Sequence, residues 1–243
     1  GLGIPAEPLF RSSYGKTNLI IGQSGSGKTV LMKSLVGLFI PSKGEILYDG
    51  RDFVAMNKRE KAQVRREMGM LFQSSALFDS LTVRDNVMFP LDMFSNMTLR
   101  DRHKRAQECL DRVNLSDAGR KYPAEISGGM QKRVAIARAI ALNPRYLFCD
   151  EPNSGLDPQT SLVIDELLHD ITVEYNMTTI INTHDMNSVL GIGDNIIFIC
   201  RGRKEWEGDK TKVMTSTNRD LNELVFASEL FKKVKDIQNG TGI

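Results

Sequence analysis

The stretch Gly22-Gln23-Ser24-Gly25-Ser26-Gly27-Lys28-Thr29 stands between the apolar runs Leu19-Ile20-Ile21 and Val30-Leu31-Met32, and it fits the pattern G-x-x-x-x-G-K-[ST]. A strand feeding such a turn points successive backbone N–H groups, and the N-terminus of the next helix, at one anion. Glycine suits the turn because it accepts positive φ and lets phosphate oxygens approach the backbone. Lys28 adds a mobile charge for the outer phosphates, and the Thr29 hydroxyl suits the Mg²⁺ that accompanies a nucleoside triphosphate. The stretch from Gly22 to Val30 is therefore expected to bind ATP or a similar triphosphate.

The chain has 243 residues, 41% of them apolar, enough for one large α/β domain or two small ones. With 32 basic and 30 acidic residues the net charge is only +2, which gives no reason to expect nucleic acid as the main partner. Cys109, Cys149 and Cys200 are far apart and odd in number. They suggest neither a disulfide framework nor a zinc site, and fit a reducing, cytoplasmic setting. No apolar run approaches the ~18 residues of a membrane span, and no signal-peptide pattern is visible. Any membrane role is expected to draw its spans from other chains.

Residues 1–13 carry two prolines and no alternation, and read as a linker or appended segment. Past the glycine-rich stretch, Val30 to Phe39 has helical spacing and stops before Pro41, and Gly44 to Phe53 reads as a hairpin around Asp49-Gly50. Asn57 to Glu67 is strongly charged, either a solvated helix face or a docking surface. Met68 to Phe72 is a short buried strand that delivers Gln73. From Leu81 to Ala141 the texture is helical, and Thr82/Asp85 and Thr98/Asp101 have the spacing of helix-start capping pairs. Tyr146 to Cys149 resumes as an apolar strand. Asp157–Tyr175 then reads as helix, 178–182 as strand, 185–190 as helix and 195–200 as strand, with an edge strand near 203–207 and a helix over 219–235. Such alternation predicts an α/β fold with a largely parallel sheet.

Two further features carry chemistry. The run Phe148-Cys149-Asp150-Glu151-Pro152 brings adjacent carboxylates to the carboxyl edge of the sheet, where strand alternation should aim them in opposite directions. Asp150 is expected to hold Mg²⁺ and Glu151 to polarise the attacking water. Ser127-Gly128-Gly129, ahead of the helix from Met130, reads either as an ordinary cap or as a second anion site. Two phosphate-binding devices about a hundred residues apart suggest a head-to-tail dimer in which each nucleotide is shared.

The phosphate loop, Gln73, Ile126-Ser127-Gly128-Gly129-Met130-Gln131, Asp150-Glu151-Pro152, Ser154-Gly155-Leu156-Asp157 and His184 resemble, in order and spacing, the nucleotide-binding domains of ABC transporters. The resemblance covers residues 16 to about 215. It implies a P-loop NTPase (RecA-like) fold: a mostly parallel sheet core (about 16–80 and 144–215) with an inserted all-helical subdomain (about 81–143), in a single domain closed by a helix at about 219–236. By that resemblance Gln73 is the Q-loop glutamine that meets Mg²⁺ with Thr29 and Asp150. Ser127 to Gln131 form the signature that reaches the nucleotide of a second copy, and Ser154 to Asp157 form the D-loop at the dimer interface. His184 is the switch histidine that joins Glu151 and Lys28 in hydrolysis. The partners implied are the second copy and integral membrane permease subunits, with the chain peripheral on the cytoplasmic face of the inner membrane.

Two departures stand out. Ile126 and Met130 replace the common Leu and Gln around Ser-Gly-Gly. Residues 1–15 do not resemble the strands and adenine-stacking aromatic that the family places upstream, and Tyr14 is too close to Gly22 to serve as that aromatic. The expectation is an altered or truncated N-terminus and weaker nucleotide binding, by the ~1–3 kcal/mol of a base–aromatic stack. Leu71 to Leu91 is similar to the ATPases of MCE-type (Mla-like) lipid-transport systems, which would add a lipid-binding MCE-type subunit as a partner. There Leu77, Phe78 and Leu81 are expected either to wall a permease groove or to fill the helical subdomain. The alternatives are the ATPase of an amino-acid or other small-solute importer, a soluble ABC ATPase outside transport, and a purely regulatory nucleotide-binding module.

Overall fold

The computed structural model describes residues 11–226. In chain order these form β1 (Lys16–Ile21), α1 (Lys28–Leu35), β2 (Leu47–Tyr48), β3 (Arg51–Asp52), α2 (Lys58–Arg66) and β4 (Met68–Leu71). Then come α3 (Val83–Phe94), α4 (Leu99–Arg112), α5 (Gly128–Ile140), β5 (Tyr146–Asp150), α6 (Pro158–Glu174) and β6 (Thr178–Asn182). The last elements are α7 (Met186–Ile192), β7 (Asn195–Cys200), β8 (Arg203–Gly208), α8 (Lys210–Thr215) and α9 (Arg219–Val225). A six-stranded sheet runs in the order β4-β5-β6-β1-β7-β8, parallel except for the edge pair β7–β8. The expected α/β architecture with a mostly parallel sheet is the one observed.

Strand periodicity divides the core into two layers. On β1, Leu19 and Ile21 face one side of the sheet and Ile20 the other, all three fully buried. The first side is covered by apolar residues of α3, α5, α6 and α7, including Val87, Ile136, Ile164 and Val189. The second packs Phe148, Ile180 and Ile197 against Met32 of α1, Val64 of α2 and Phe53 beside the β2–β3 hairpin. That hairpin turns through Asp49 (φ 50°) and Gly50 (φ 76°), two positive-φ residues of the kind that match the strand twist.

Two sequence expectations need correction. The helix expected over Val30–Phe39 ends at Leu35, with Val36 as its cap. Gly37 adopts φ 75°, its N–H donates to Ser34 O (3.0 Å), and that of Leu38 to Lys33 O (2.8 Å). This Schellman-type stop turns Leu38, Phe39 and Ile40 outward. The helix expected to run from 219 to 235 ends at Val225, capped by Phe226; Leu230, Phe231 and the rest of that stretch lie outside the described residues, as do residues 1–10 of the expected linker. α8, capped by the Asp209 carboxylate, was not anticipated.

Between β4 and β5 every regular element is a helix. Thr82 caps α3 and Thr98 caps α4, each also bonded to the acidic residue three positions on, as their spacing implied. Fully buried Asn86 of α3 holds the loop before that helix: its Oδ1 accepts from Phe78 N (2.8 Å), while Nδ2 donates to the carbonyls of Phe78, Leu81 and Thr82. Truncating it strands one amide and weakens three acceptors. Asn86→Ala is expected to lower unfolding stability by about 2–3 kcal/mol in urea titrations at unchanged m-value. A loss within about 0.5 kcal/mol would show that the loop does not depend on this side chain.

Candidate nucleotide site

The carboxyl ends of the parallel strands β1, β4, β5 and β6 share one edge of the sheet, and the phosphate loop, Gln73, Asp150, Glu151 and His184 each end or follow one of them. From β1 the chain enters Gly22, where an added Cβ would lie 2.3 Å from Ile199 O and 2.6 Å from Ser26 Oγ. Only glycine fits that approach. Gly25 and Gly27 take φ of 79° and 107°, and α1 begins directly afterwards at Lys28. Gln23, Ser24, Gly25 and Thr29 are exposed, as is Val30. Ser26 is buried, and among the described residues its hydroxyl has no partner, a polar atom suited to a ligand in the loop. Lys28, 7% exposed, donates to the carbonyls of Gly22 (2.8 Å) and Gln23 (3.1 Å). Burial lowers its pKa, against the pull of Glu151 and Asp150. An anion brought to the loop would relieve that desolvation.

β5 pairs with β6 so that Asp150 lies beside Asn182. Asn182 Nδ2 donates to Asp150 Oδ1 (2.6 Å) and to Thr29 Oγ1 (3.4 Å). One amide thus places two hard oxygen donors side by side, a set suited to Mg²⁺ completed by phosphate and water oxygens. Among the described residues no group of three His, Cys, Asp or Glu side chains could hold a metal without such help. Asn182 was missed from the sequence; the signal was a polar residue at the end of the apolar strand beside β5.

The two carboxylates do part company, but not by strand alternation. Asp150 is the last residue of β5, whereas Glu151 has left the strand at φ 49°, its N–H donating to Asn182 O. That turn carries its side chain to His184, whose Nδ1 lies 2.7 Å from Oε2. The imidazole is 68% exposed. Glu151 and His184, 33 positions apart, are therefore brought together.

Gln73 follows β4, and its Nε2 donates to Ser154 Oγ (3.0 Å), leaving its side-chain carbonyl oxygen for a cation. It touches Ser154 rather than Thr29 or Asp150. The loop beyond Gln73 is held by α5: Lys132 Nζ donates to Gln73 O, and Arg138 to the carbonyls of Ser75 and Ala76, both at 2.7 Å. Burial lowers the pKa of both cations. Sequence reading did not find either.

At the start of α5, Ser127 Oγ accepts from Met130 N (3.3 Å), and Gln131 Nε2 donates to Pro123 O. Ser127 and Gly128 are exposed, so a second chain can reach them. A Cβ on Gly129 would lie 2.6 Å from Thr160 Cγ2, and Leu156 approaches Gly128. The stretch Ser154 to Asp157 therefore packs beside that helix start, with Gly155 at φ 79° and Asp157 capping α6. Tyr14 bonds Asp49 and Arg145 at the opposite end of β1, about 20 Å of strand from Gly22.

Behind Glu151 lies Asp165 of α6, 3% exposed and bonded by Asn153 Nδ2 and Ser188 Oγ, both at 2.8 Å. Burial pushes its carboxyl up to about 6 from an ordinary 3.8, with Asp185 and Glu166 adding to the rise. A carboxyl raised by folding favours the native state fully below the unfolded value, and that advantage is lost as pH climbs through about 6. Against Asp165→Asn, the wild type is expected to lose roughly 2 kcal/mol of unfolding stability between about pH 4 and about pH 8. A pH-independent difference between the two would mean that this carboxyl titrates normally.

These features define the class: an α/β protein of the phosphate-loop nucleotide-binding type, with two carboxylates at the same sheet edge. The chain belongs to the ABC transporter family, whose model, described as "ABC transporter", matches residues 9–154. It is 38% identical over 202 residues to "Probable ribonucleotide transport ATP-binding protein mkl" of Mycobacterium leprae, covering 83% of this chain and 58% of that protein. It is 40% identical over 204 residues to "Methionine import ATP-binding protein MetN 1" of Pseudomonas syringae pv. syringae, covering 83% and 61%. The chain thus spans about three-fifths of the length of these relatives. Among solved structures it is similar to a dimeric ATP-binding cassette in a post-hydrolysis state bound to ADP and Pi (TM-score 0.75, 34% identity, 83% of this chain and 88% of that one). Among the described residues no helix is long and apolar enough to cross a membrane.

Proposed function

We propose that this chain is the ATP-hydrolysing subunit of an ABC transporter, acting as one nucleotide-binding domain whose helical block, about 81–143, carries the signature. The observation behind this reading is the convergence of the glycine-lined loop, Asp150, the Glu151–His184 pair and Gln73 at one sheet edge. The loop N–H groups and Lys28 hold the β- and γ-phosphates. Glu151 accepts a proton from water as its oxygen attacks the γ-phosphorus, and the bond to the bridging oxygen breaks with its electron pair leaving on ADP. His184, turned to solvent beside Glu151, holds the γ-phosphate. Thr29, Asp150 and Gln73 would hold Mg²⁺, which when bound neutralises charge on the β- and γ-phosphate oxygens.

Ser127, Gly128 and Gly129 of a second copy, backed by Met130 and Gln131, cover the nucleotide with helix-start N–H groups. Ser154 to Asp157 line the same interface. The similarity to a cassette solved as a dimer supports this arrangement. Permease subunits supply the membrane spans, and the chain sits peripherally at the cytoplasmic face of the inner membrane. Exposed Phe72, Phe78, Phe89, Met93 and Phe94 offer an apolar surface beside the Gln73 loop for such a subunit. For cargo we infer phospholipid or another hydrophobic molecule, with an MCE-type partner, from the Leu71–Leu91 resemblance. The relatives named for ribonucleotide and methionine transport support the small-solute alternative. Mass spectrometry of molecules retained by the complex from a membrane extract separates the two.

Glu151→Gln is expected to bind ATP, to lower kcat at least about a hundredfold, and to accumulate a nucleotide-bound dimer in light scattering. Turnover at the wild-type rate would remove Glu151 from its role.

A further inference from the structure

We propose that Asn153, Asp165 and Ser188 are positioning residues for hydrolysis, a buried tie that holds Glu151 and His184 at their contact distance from behind. The proposal rests on the roles given to Glu151 and His184 above. The three side chains come from separate elements: the loop after β5, the middle of α6 and the first turn of α7. All are buried, and they close a ring. Asn153 Nδ2 donates to Asp165 Oδ1 (2.8 Å) and Ser188 Oγ (3.1 Å), and Ser188 Oγ donates to Asp165 Oδ2 (2.8 Å).

Position gives the ring its meaning. Asn153 stands two residues beyond Glu151 and one before Ser154, the acceptor of the Gln73 amide. Ser188 stands four residues beyond His184. The same two chain segments are therefore joined twice, once at the surface by Glu151 and His184 and once in the interior. A surface pair with a 68% exposed imidazole holds its geometry weakly. Buried bonds to a carboxylate are stronger and directional, and Asn153 Nδ2, Ser188 Oγ and the two Asp165 oxygens would each be costly without the others. Apolar side chains could fill the same space without burying a charge. What they could not do is specify one mutual setting of the loop and α7. The left-handed Glu151 backbone needs such external restraint, because nothing in its own preference selects φ 49°.

The test uses the full chain carrying Ser188→Ala or Asp165→Asn, with kcat and KM for ATP measured per nucleotide-binding site titrated with a fluorescent ATP analogue. Both variants are expected to keep KM within about twofold and to lose about tenfold in kcat. Thr172→Val serves as control: it removes a buried α6 hydroxyl bonded to Leu168 O and Thr179 Oγ1, and is expected to lower the melting temperature without changing kcat. Glu151→Gln is measured alongside. If it stops turnover while Ser188→Ala and Asp165→Asn keep wild-type kcat, the tie is refuted and the site assignment stands. A kcat loss in Thr172→Val equal to theirs also refutes it, by reducing the effect to general destabilisation. If Glu151→Gln itself turns over normally, the site assignment fails and takes the tie with it.

Discussion

Parallel alignment of β1, β4, β5 and β6 is the constraint on which the candidate site depends, because it sends four chain ends to one edge of the sheet. Residues from 22 to 184 meet there although no local segment links them. The same alignment sets the electrostatics. Lys28 is desolvated at the base of a glycine-lined loop, with Asp150 and Glu151 opposing the loss of its charge. A buried ammonium between carbonyls and carboxylates is poised for an anion with better geometry, which a triphosphate supplies.

Helix α5 joins that edge to the rest of the molecule. Its N-terminus presents exposed Ser127 and Gly128, while Lys132 and Arg138 along its length hold the carbonyls of Gln73, Ser75 and Ala76. Ser75 and Ala76 adopt φ of 61° and 46°, a left-handed pair that costs roughly 1–2 kcal/mol per residue. Charge-assisted bonds from half-buried Arg138 to both carbonyls, and from buried Lys132 to that of Gln73, offset that strain. The loop beside the apolar surface of α3 and the exposed helix start at Ser127 therefore belong to one packed unit. A shift at one end has a mechanical route to the other.

How much of this the sequence revealed depended on how local the cause was. The phosphate loop, the caps at Thr82 and Thr98, and the bounds of β6 and β7 follow from neighbouring residues and were legible. α1 was read too long because Leu38-Phe39-Ile40 continues the apolar texture, whereas Gly37 ends the helix through backbone geometry. The divergence of Asp150 and Glu151 was expected, but from strand alternation; a positive φ produces it instead. Asn182, Lys132, Arg138 and the ring around Asp165 gain their meaning from partners 12 to 153 positions away, which no periodicity reports.

In the function proposed above a nucleotide is shared, gripped by Gly22 to Thr29 of one copy and covered by Ser127 to Gly129 of another. The most direct measurement is disulfide crosslinking between two separately prepared chains, one carrying Ser24→Cys and the other Ser127→Cys. A mixed disulfide that forms on adding ATP, and not with nucleotide absent, is the predicted result. Crosslinking that ignores ATP, or none at any ATP concentration while nucleotide binds, would contradict a site completed by a second copy.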